Sequence, residues 1–270
     1  MMIELGILGA GNMAEAIARG VIRSGLIQAV NILASDVSPV RRELFAEQLG
    51  IRAVDDNREV ARQSRTLLLS VKPQHMAEVL AGIGPSSDPG VLIVSIAAGI
   101  SSKFIETHLG SGRNWRVIRT MPNTPMLVGE GMVALARGRH ATEADAAWTR
   151  KMFQAAADVI EVSEDKLDAV TAVSGSGPAY FFYLVEQIVR AGTDLGLTPE
   201  EARQLAIKTS VGAAKMLSTS ADTPQELRRK VTSPGGTTDA AITYLERHAG
   251  SVIITEAIKA AAARSRELGS

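Results

Sequence analysis

The sequence predicts an α/β protein with a mostly parallel, doubly wound sheet in its N-terminal part, followed by an all-α domain. Two observations predict this architecture. Short apolar runs alternate with helical patterns through the first half of the chain, and strand-like runs disappear after about residue 164. Strands that alternate with helices at this spacing are typical of βαβ units, and the helical remainder indicates a second domain.

Six apolar runs in the first half have the length of β-strands. They are apolar throughout rather than alternating, which is expected of parallel strands covered on both faces. The predicted strands comprise residues 3–8, 30–35, 66–71, 90–97, 115–121 and 131–137. Helical patterns follow four of them, at residues 12–24, at 39–49, from 73 onward and at 101–109.

The C-terminal part is helical in its hydrophobic period, which divides the chain into domains of residues 1–164 and 165–270. A helix start is predicted at TPEE, residues 198–201. Threonine caps a helix, proline favours its first position, and acidic residues stabilise its positive end. A helical pattern resumes at residue 240 and continues to the end of the printed sequence.

The composition argues against several classes of function. The chain has 29 basic and 29 acidic residues and 4% aromatic residues, so we expect no nucleic-acid partner and no attraction to a membrane. It has no cysteine, and its four histidines lack ligand spacing, so no metal site is predicted. No apolar stretch reaches the ~20 residues that span a bilayer, and no signal peptide is evident. We therefore expect a cytoplasmic protein.

The loop after the first predicted strand carries a dinucleotide-binding pattern. Gly9, Gly11 and Ala14 have the spacing G-x-G-x-x-A between a strand and a helix. The first glycine permits a tight turn, the second lets the backbone approach a pyrophosphate, and the small third residue lets the helix pack on the strand. The pattern predicts a Rossmann-type dinucleotide-binding domain. The cofactor contacts predicted in this segment are Leu8, Gly9, Ala10, Gly11, Asn12 and Met13.

The end of the second predicted strand leaves the identity of the nicotinamide cofactor open. Asp36 is placed to accept hydrogen bonds from ribose hydroxyls, which favours NADH. Ser35, Arg41 and Arg42 could instead hold a 2′-phosphate, which favours NADPH. The two arginines are equally typical of the solvent-exposed first turn of a helix. Ser35 and Asp36 are both predicted to contact the cofactor.

Two further strand ends point to the same crevice. SVKP at residues 70–73 and SIAAG at 95–99 follow predicted strands, and ligands of parallel sheets bind outside the carboxyl ends of the strands. Small residues there leave room for a dinucleotide, although tight packing alone would also explain them. We place Lys72 at a phosphate or ribose rather than in catalysis. The predicted contacts are Ser70, Val71, Lys72, Pro73, Ala97 and Ala98.

Taken together, these segments resemble the pyrroline-5-carboxylate reductase family. The motifs GAGNMAEAI, SVKP, SIAAGI, RTMPNTP, DAVTAVSGSGPAYFF and VTSPGGTT occur in the family's order and span nearly the whole chain. The resemblance implies reduction of 1-pyrroline-5-carboxylate to L-proline with NADPH, or with NADH as the alternative. It also implies that residues 165–270 form a helical dimerisation and substrate domain, with a homodimer and larger rings of such dimers, up to a decamer.

The resemblance also bears on individual residues at the cofactor. Asn57 falls where the family places a contact to the adenosine end. The chain departs from the family at Ser70, where alanine is usual, and at Asp36, where NADP-preferring members carry a neutral or basic residue. The second departure argues for NADH.

The loop VTSPGGTT, residues 231–238, is the family's substrate loop. Gly235 and Gly236 are expected to expose backbone N–H groups, and a helix beginning near Thr237 or Thr238 directs its positive end at the same place, which suits a carboxylate. The Thr238 hydroxyl is predicted to contact the ring nitrogen and to be catalytic. On the residues alone, a loop that ends in a threonine cap is the alternative. The substrate-binding residues implied by the resemblance are Val231, Ser233, Gly236 and Thr237.

Two other functions stay open on the sequence. Related imine or β-hydroxyacid reductases share this two-domain plan, but the hydroxyacid enzymes need a lysine on the first long helix of the helical domain. The helix predicted at residues 178–195 contains none. A non-catalytic NAD(P)-sensing protein would have no use for a substrate loop.

Overall fold

The computed structural model describes residues 2–88, 90–110 and 112–268. The chain forms two compact units, one of Met1–Ser176 with Ala261–Ser270, the other of Gly177–Ala260. The division follows Ser176 rather than residue 164 because Leu167, in the segment between them, packs against the sheet residues Ala134 and Ala136. The domain boundary expected at residue 164 stays a prediction.

The first unit contains an eight-stranded sheet in the order β3-β2-β1-β4-β5-β6-β7-β8. Strands β1 to β6 run parallel, β7 is antiparallel to β6, and β8 is parallel to β7. The predicted mostly parallel, doubly wound sheet is therefore confirmed. The strands are β1 Ile3–Leu8, β2 Ile32–Ser35, β3 Arg52–Val54, β4 Ser64–Leu69, β5 Leu92–Ser95, β6 Arg116–Pro122, β7 Gly131–Arg137 and β8 Ala157–Glu161.

The two edge strands of this sheet, β3 and β8, are not among the strands predicted from the sequence. Neither shows the continuous apolar run of a central strand, because the edge strands leave part of their side chains in solvent. The predicted run at residues 30–35 is shorter in the structure, since Ala29–Asn31 form a single 3₁₀ turn ahead of β2. The run predicted at 66–71 begins two residues earlier and ends at Leu69.

Helices cover both faces of the sheet, and each face buries its own apolar cluster. Leu5, Ile7 and Val94 belong to one cluster, whereas Leu67 and Ile93 belong to the other. This explains why the strands are apolar at successive positions. The helices of the first unit are α1 Asn12–Arg23, α2 Pro39–Leu49, α3 Asn57–Gln63, α4 Met76–Ile83, α5 Ser102–Leu109, α6 Glu143–Gln154 and the short α7 Leu167–Val170.

The register of the central strands places their carboxyl ends side by side. Leu8 pairs with Ser35 on one side and with Leu69 on the other, and Leu69 pairs with Ser95. The loops that follow β1, β2, β4 and β5 therefore leave the sheet along one edge, which is where ligands of such sheets bind.

Every regular element in the described residues of the second unit is a helix. The predicted helix start at residues 198–201 is confirmed, since Thr198 and Glu201 form a reciprocal capping box ahead of Pro199. The single helical pattern expected from residue 240 is interrupted at Ala249, which has a φ of 58°. The helices are α8 Gly177–Asp194, α9 Pro199–Thr219, α10 Pro224–Lys230, α11 Thr237–Arg247 and α12 Gly250–Leu268.

Glu164 ties the segment after the last strand to the sheet. Its carboxylate accepts the backbone N–H of Ser102 at 2.7 Å and the Ser102 hydroxyl at 2.6 Å, and it lies 3.1 Å from the Arg119 guanidinium. Partial burial raises the pKa of Glu164, but the hydrogen bonds from Ser102 and the charge of Arg119 outweigh it and lower the pKa below its usual value.

We expect Glu164→Gln to lower the free energy of unfolding by about 1–3 kcal/mol at neutral pH, because one charged acceptor serves three donors. A carboxyl with a lowered folded pKa stabilises fully above its unfolded pKa, about 4.3, and loses that contribution as the pH falls through the folded value. Urea unfolding of variant and parent should therefore converge in acid.

Glu143→Gln is the matched control, because Glu143 forms an exposed ion pair with Arg137 at 3.3 Å. Its loss should cost less than about 1 kcal/mol at either pH. Equal effects of the two substitutions at neutral pH would contradict the role given to Glu164.

Candidate cofactor cleft and substrate loop

Gly9 makes the tight turn at the end of β1. Its φ is +93°, and a Cβ at this position would lie 2.8 Å from the backbone oxygen of Ser70. Its N–H donates to the backbone oxygen of Ser35 at 2.9 Å. The turn thus needs glycine both for its backbone conformation and for the close approach of the loop after β4.

Gly11 opens α1 toward the same edge of the sheet. It is the N-cap residue, and no side chain from the described part of the chain caps the helix. A Cβ at Gly11 would meet no atom within 4 Å, so the space beside this backbone is open. Uncapped N–H groups next to open space fit a pyrophosphate, since a helix N-terminus attracts anions.

A cleft of 660 Å³ extends from this loop along the ends of β1, β2, β3 and β4. Eight of the predicted cofactor residues line it: Gly9, Gly11, Ser35, Asp36, Asn57, Ser70, Val71 and Lys72. The other predicted contacts do not line it: Leu8, Ala10 and Ala97, which are buried, and Asn12, Met13, Pro73 and Ala98. Binding by any of these residues stays a prediction.

Several residues of the cleft wall are not among the contacts predicted from the sequence. Asp55, Asp56 and Arg58 follow the unrecognised edge strand β3, and recognising that strand would have indicated them. The wall is completed by Val37 after β2 and by residues on or near α4, for which the sequence carries no signal: His75, Glu78, Val79, Gly82 and Ile83.

Ser35 and Asn57 meet in this cleft. The Ser35 hydroxyl donates to the side-chain oxygen of Asn57 at 2.6 Å, which leaves the Asn57 amide N–H₂ group to face a ligand. Asn57 is the first residue of α3, whose cap Asp56 accepts the N–H of Arg58. The short helix thereby holds Asn57 against β2.

Asp36 directs its carboxylate at backbone groups. One oxygen accepts the N–H of Ala10 and the other accepts the N–H of Ser38, both at 2.8 Å. The side chain of Arg41 reaches the Ala10 oxygen and Glu15, and that of Arg42 reaches the backbone oxygen of Asp36. Both arginines proposed for a 2′-phosphate are therefore engaged within the protein.

The second candidate element is the loop 231–238 that joins α10 to α11. Gly235 has a φ of +70°, and its N–H donates to the Asp239 carboxylate at 3.0 Å. The N–H of Gly236 donates to the backbone oxygen of Ser233 at 3.0 Å. The expectation that both glycines expose free N–H groups is wrong, because the tight loop uses these groups to hold its own shape.

The backbone N–H groups that could bind a ligand lie directly after these glycines, at the start of α11. The helix begins at Thr237 with Gly236 as its N-cap and without a side-chain cap among the described residues. The alternative of a threonine cap is therefore wrong. Thr238 is half-buried in the first turn, where its hydroxyl and the leading N–H groups share one end of the helix. Val231 and Ser233 are exposed.

Comparisons with known proteins cover both elements. Residues 164–268 match the family model "Pyrroline-5-carboxylate reductase dimerisation", and residues 4–99 match "NADP oxidoreductase coenzyme F420-dependent". The pyrroline-5-carboxylate reductase of Pseudomonas aeruginosa is 40% identical over 98% of this chain and 96% of its own length. That of Pisum sativum is 39% identical over 98% and 95%.

The chain belongs to the pyrroline-5-carboxylate reductase family. The resemblance inferred from the motifs is confirmed. Solved reductases of this name agree over 100% of both chains: that of Coxiella burnetii with a TM-score of 0.89 and 34% identity, and that of Plasmodium falciparum, with NADP bound, with 0.88 and 29%. A prephenate dehydrogenase from A. aeolicus, at 16% identity and a TM-score of 0.57, shares the fold alone.

In this reductase the motif SGSGP forms an unusual turn. Residues Thr171–Gly175 make a π-helix, and α8 begins directly afterwards. The Asn123 side chain donates to the hydroxyl and backbone oxygens of Ser174, at 3.2 and 3.4 Å, and accepts the N–H of Met132 at 2.9 Å. The loop RTMPNTP after β6 is thereby fixed to this turn.

Among the described residues, no group of three histidine, aspartate or glutamate side chains is placed to hold a metal ion. In the same part of the chain, no helix combines the length and apolar character needed to cross a membrane.

Proposed function

We propose that this chain reduces 1-pyrroline-5-carboxylate to L-proline, the last step of proline biosynthesis. The observation that carries the proposal is the full-length match to reductases of that name at about 40% identity, which includes the loop 231–238 as well as the nucleotide cleft. A dinucleotide site alone would be compatible with many reductases. The match at the substrate loop restricts the proposed reaction to that of the family that carries this loop.

The chemistry of this reduction suits the residues present. The substrate carries a cyclic imine and a carboxylate, and hydride addition to the protonated imine gives a neutral amine. Positive charge disappears in this step, so the protein must bind and orient the substrate rather than stabilise an oxyanion. A loop without histidine, lysine or cysteine, as in residues 231–238, is compatible with that demand.

The start of α11 is proposed to hold the substrate. Its leading N–H groups, at Thr237 and Thr238, together with the helix dipole, favour a carboxylate. The Thr238 hydroxyl is proposed to contact the ring nitrogen, as an acceptor from an iminium or a donor to an imine. Val231, Ser233 and Gly236 are proposed to shape this end of the site.

NADPH is proposed as the cofactor, with NADH as the alternative. When bound, it supplies the hydride. The open space beside Gly11 and the uncapped start of α1 are proposed to receive its pyrophosphate, and Ser35 and Asn57 its adenosine end. The relative solved with NADP bound supports NADPH over NADH.

A spectrophotometric assay tests the proposal. Purified protein should oxidise NADPH when racemic pyrroline-5-carboxylate is added, with proline as the product. Oxidation with a β-hydroxyacid partner instead would favour the related reductases, although α8 contains no lysine for that chemistry. Dinucleotide binding without turnover of any such substrate would favour a non-catalytic sensor.

We further propose a homodimer formed through residues 165–270, the part that matches a dimerisation family. Phe181, Phe182 and Tyr183 are exposed by 67%, 70% and 66% in the single chain, as are several apolar residues of α12. Such a surface on a lone protomer is typical of an interface.

Light scattering at micromolar concentration should therefore report at least a dimer, and a monomer would contradict the proposal. Replacing Phe182 with glutamate should shift the mass downward, whereas the same change at the exposed Val40 of α2 should not. A ring up to a decamer and a cytoplasmic location stay predictions.

A further inference from the structure

The backbone of Ala10 is held from both sides within the glycine-rich loop. Its N–H donates to the Asp36 carboxylate at 2.8 Å, and its carbonyl oxygen accepts the Nε–H of Arg41 at 2.5 Å. Ala10 is fully buried between Gly9 and Gly11. Two successive peptide groups of the loop are therefore fixed by side chains that come from β2 and α2.

Asp36 is itself fixed in this orientation. Its other carboxylate oxygen accepts the N–H of Ser38 at 2.8 Å, and Arg42 donates to the Asp36 backbone oxygen at 2.7 Å. Each carboxylate oxygen is thus directed at a backbone donor. Asp36 therefore links the end of β2 to the loop that is proposed to receive the pyrophosphate.

The side chain of Arg41 is also fixed by several contacts. Its Nη2 lies 2.9 Å from a Glu15 oxygen, and its guanidinium lies 5.8 Å from the centre of the Phe45 ring. Glu15 also accepts from Arg19 at 2.9 Å. The guanidinium of Arg41 is therefore held over α1 and α2 and does not line the cleft.

We infer that Asp36 and Arg41 are positioning residues that fix the glycine-rich loop for the pyrophosphate. With both peptide groups of Ala10 fixed, the open side of Gly11 and the uncapped start of α1 keep their shape before the cofactor arrives. Binding then avoids the entropy cost of ordering the loop. The inference rests on the dinucleotide-binding part of the proposed function.

Asp36→Ser distinguishes a role in positioning the loop from a role in choosing between NADPH and NADH, because the two roles affect different ligands. Dissociation constants for NADPH, NADH and adenosine 2′-monophosphate are measured by calorimetry. We expect both dinucleotides to bind more weakly, NADH by about tenfold, a loss of one or two hydrogen bonds to a charged group. Adenosine 2′-monophosphate has no 5′-phosphate to contact the loop, so its affinity should not fall. Asp36→Asn keeps one acceptor oxygen, so its affinities for the dinucleotides should lie between those of Asp36→Ser and those of the parent.

Arg41→Met gives an independent reading, with Arg19→Met as its matched control. Both remove an arginine from Glu15, but only Arg41 contacts the loop. The Arg41 variant should weaken both dinucleotides to a similar extent, and the Arg19 variant should weaken neither. If Asp36→Ser fails to fold in a thermal melt, this pair decides the question.

Three results would overturn the inference. Tighter binding of NADPH with weaker binding of NADH in Asp36→Ser would show that Asp36 acts on the 2′ position of the cofactor rather than on the loop. Unchanged dinucleotide affinity in both variants would leave the loop independent of them. Equal losses for Arg41→Met and Arg19→Met would assign the effect to Glu15. Because no pyrroline substrate is present, a protein that binds dinucleotides but does not reduce pyrroline-5-carboxylate would refute the proposed reaction and leave this inference intact.

Discussion

Thr238→Val is expected to reduce kcat/KM for pyrroline-5-carboxylate by about ten- to a hundredfold. Valine keeps the shape of threonine and removes its hydroxyl. A hydrogen bond to a charged iminium nitrogen contributes roughly 1.5–3 kcal/mol, and each 1.4 kcal/mol corresponds to a tenfold change in rate. The dissociation constant for NADPH should hardly change, because the proposed pyrophosphate contacts lie at the start of α1.

The structure also predicts the stability of this variant. Gly236, not Thr238, caps α11, so the valine variant should keep the parent's melting temperature within the small difference in helix propensity between the two residues. Thr107→Val, at an exposed position of α5 outside both proposed sites, is the matched control and should leave the kinetics intact. Near-parental kinetics in Thr238→Val would end the proposal that this hydroxyl touches the substrate.

Gly11→Val is expected to remove most of the affinity for either dinucleotide while leaving the protein folded. A Cβ at Gly11 meets no protein atom within 4 Å, and its backbone has a φ of −73°, which any residue adopts. The isopropyl group would therefore enter the space proposed for the pyrophosphate. A steric conflict of about 1–3 kcal/mol corresponds to roughly a ten- to hundredfold weaker dissociation constant.

Gly11→Ala should give a smaller loss, because it adds one methyl group rather than three carbons. Gly9→Val is not equivalent, since its positive φ and its 2.8 Å approach to Ser70 predict misfolding as well as lost binding. Titration with NADPH and thermal melting of each variant separate these cases. Parental affinity in a folded Gly11→Val protein would exclude this loop from the cofactor site.

Features set by local chemistry could be predicted from the sequence. The G-x-G-x-x-A spacing predicts the turn at Gly9 and the helix start at Gly11, because only glycine fits the left-handed turn and the close approach to β4. TPEE predicts the capped start of α9 because the side chains of Thr198 and Glu201 each accept the other residue's backbone N–H. The central strands are apparent because burial on both faces demands continuous apolar runs.

Features that depend on residues distant in the chain were decided by the tertiary structure. The edge strands β3 and β8 carry no continuous apolar run, and they are strands because β2 and β7 provide hydrogen-bonding partners. With β3 unrecognised, the cleft wall at Asp55, Asp56 and Arg58 could not be anticipated.

The features of the candidate site also divide into those that the sequence determined and those that it did not. The sequence by itself determined that Asp36 stands at the end of β2 and that the loop 231–238 precedes a helix. Only the tertiary structure decided that the Asp36 carboxylate meets the Ala10 N–H, 26 residues away along the chain. The contacts of the loop glycines are local, but their directions are apparent only in the structure, where the N–H groups of Gly235 and Gly236 donate to Asp239 and Ser233. The physical reason is that a hydrogen bond depends on the direction and distance of two groups, which residue type and spacing along the chain do not specify.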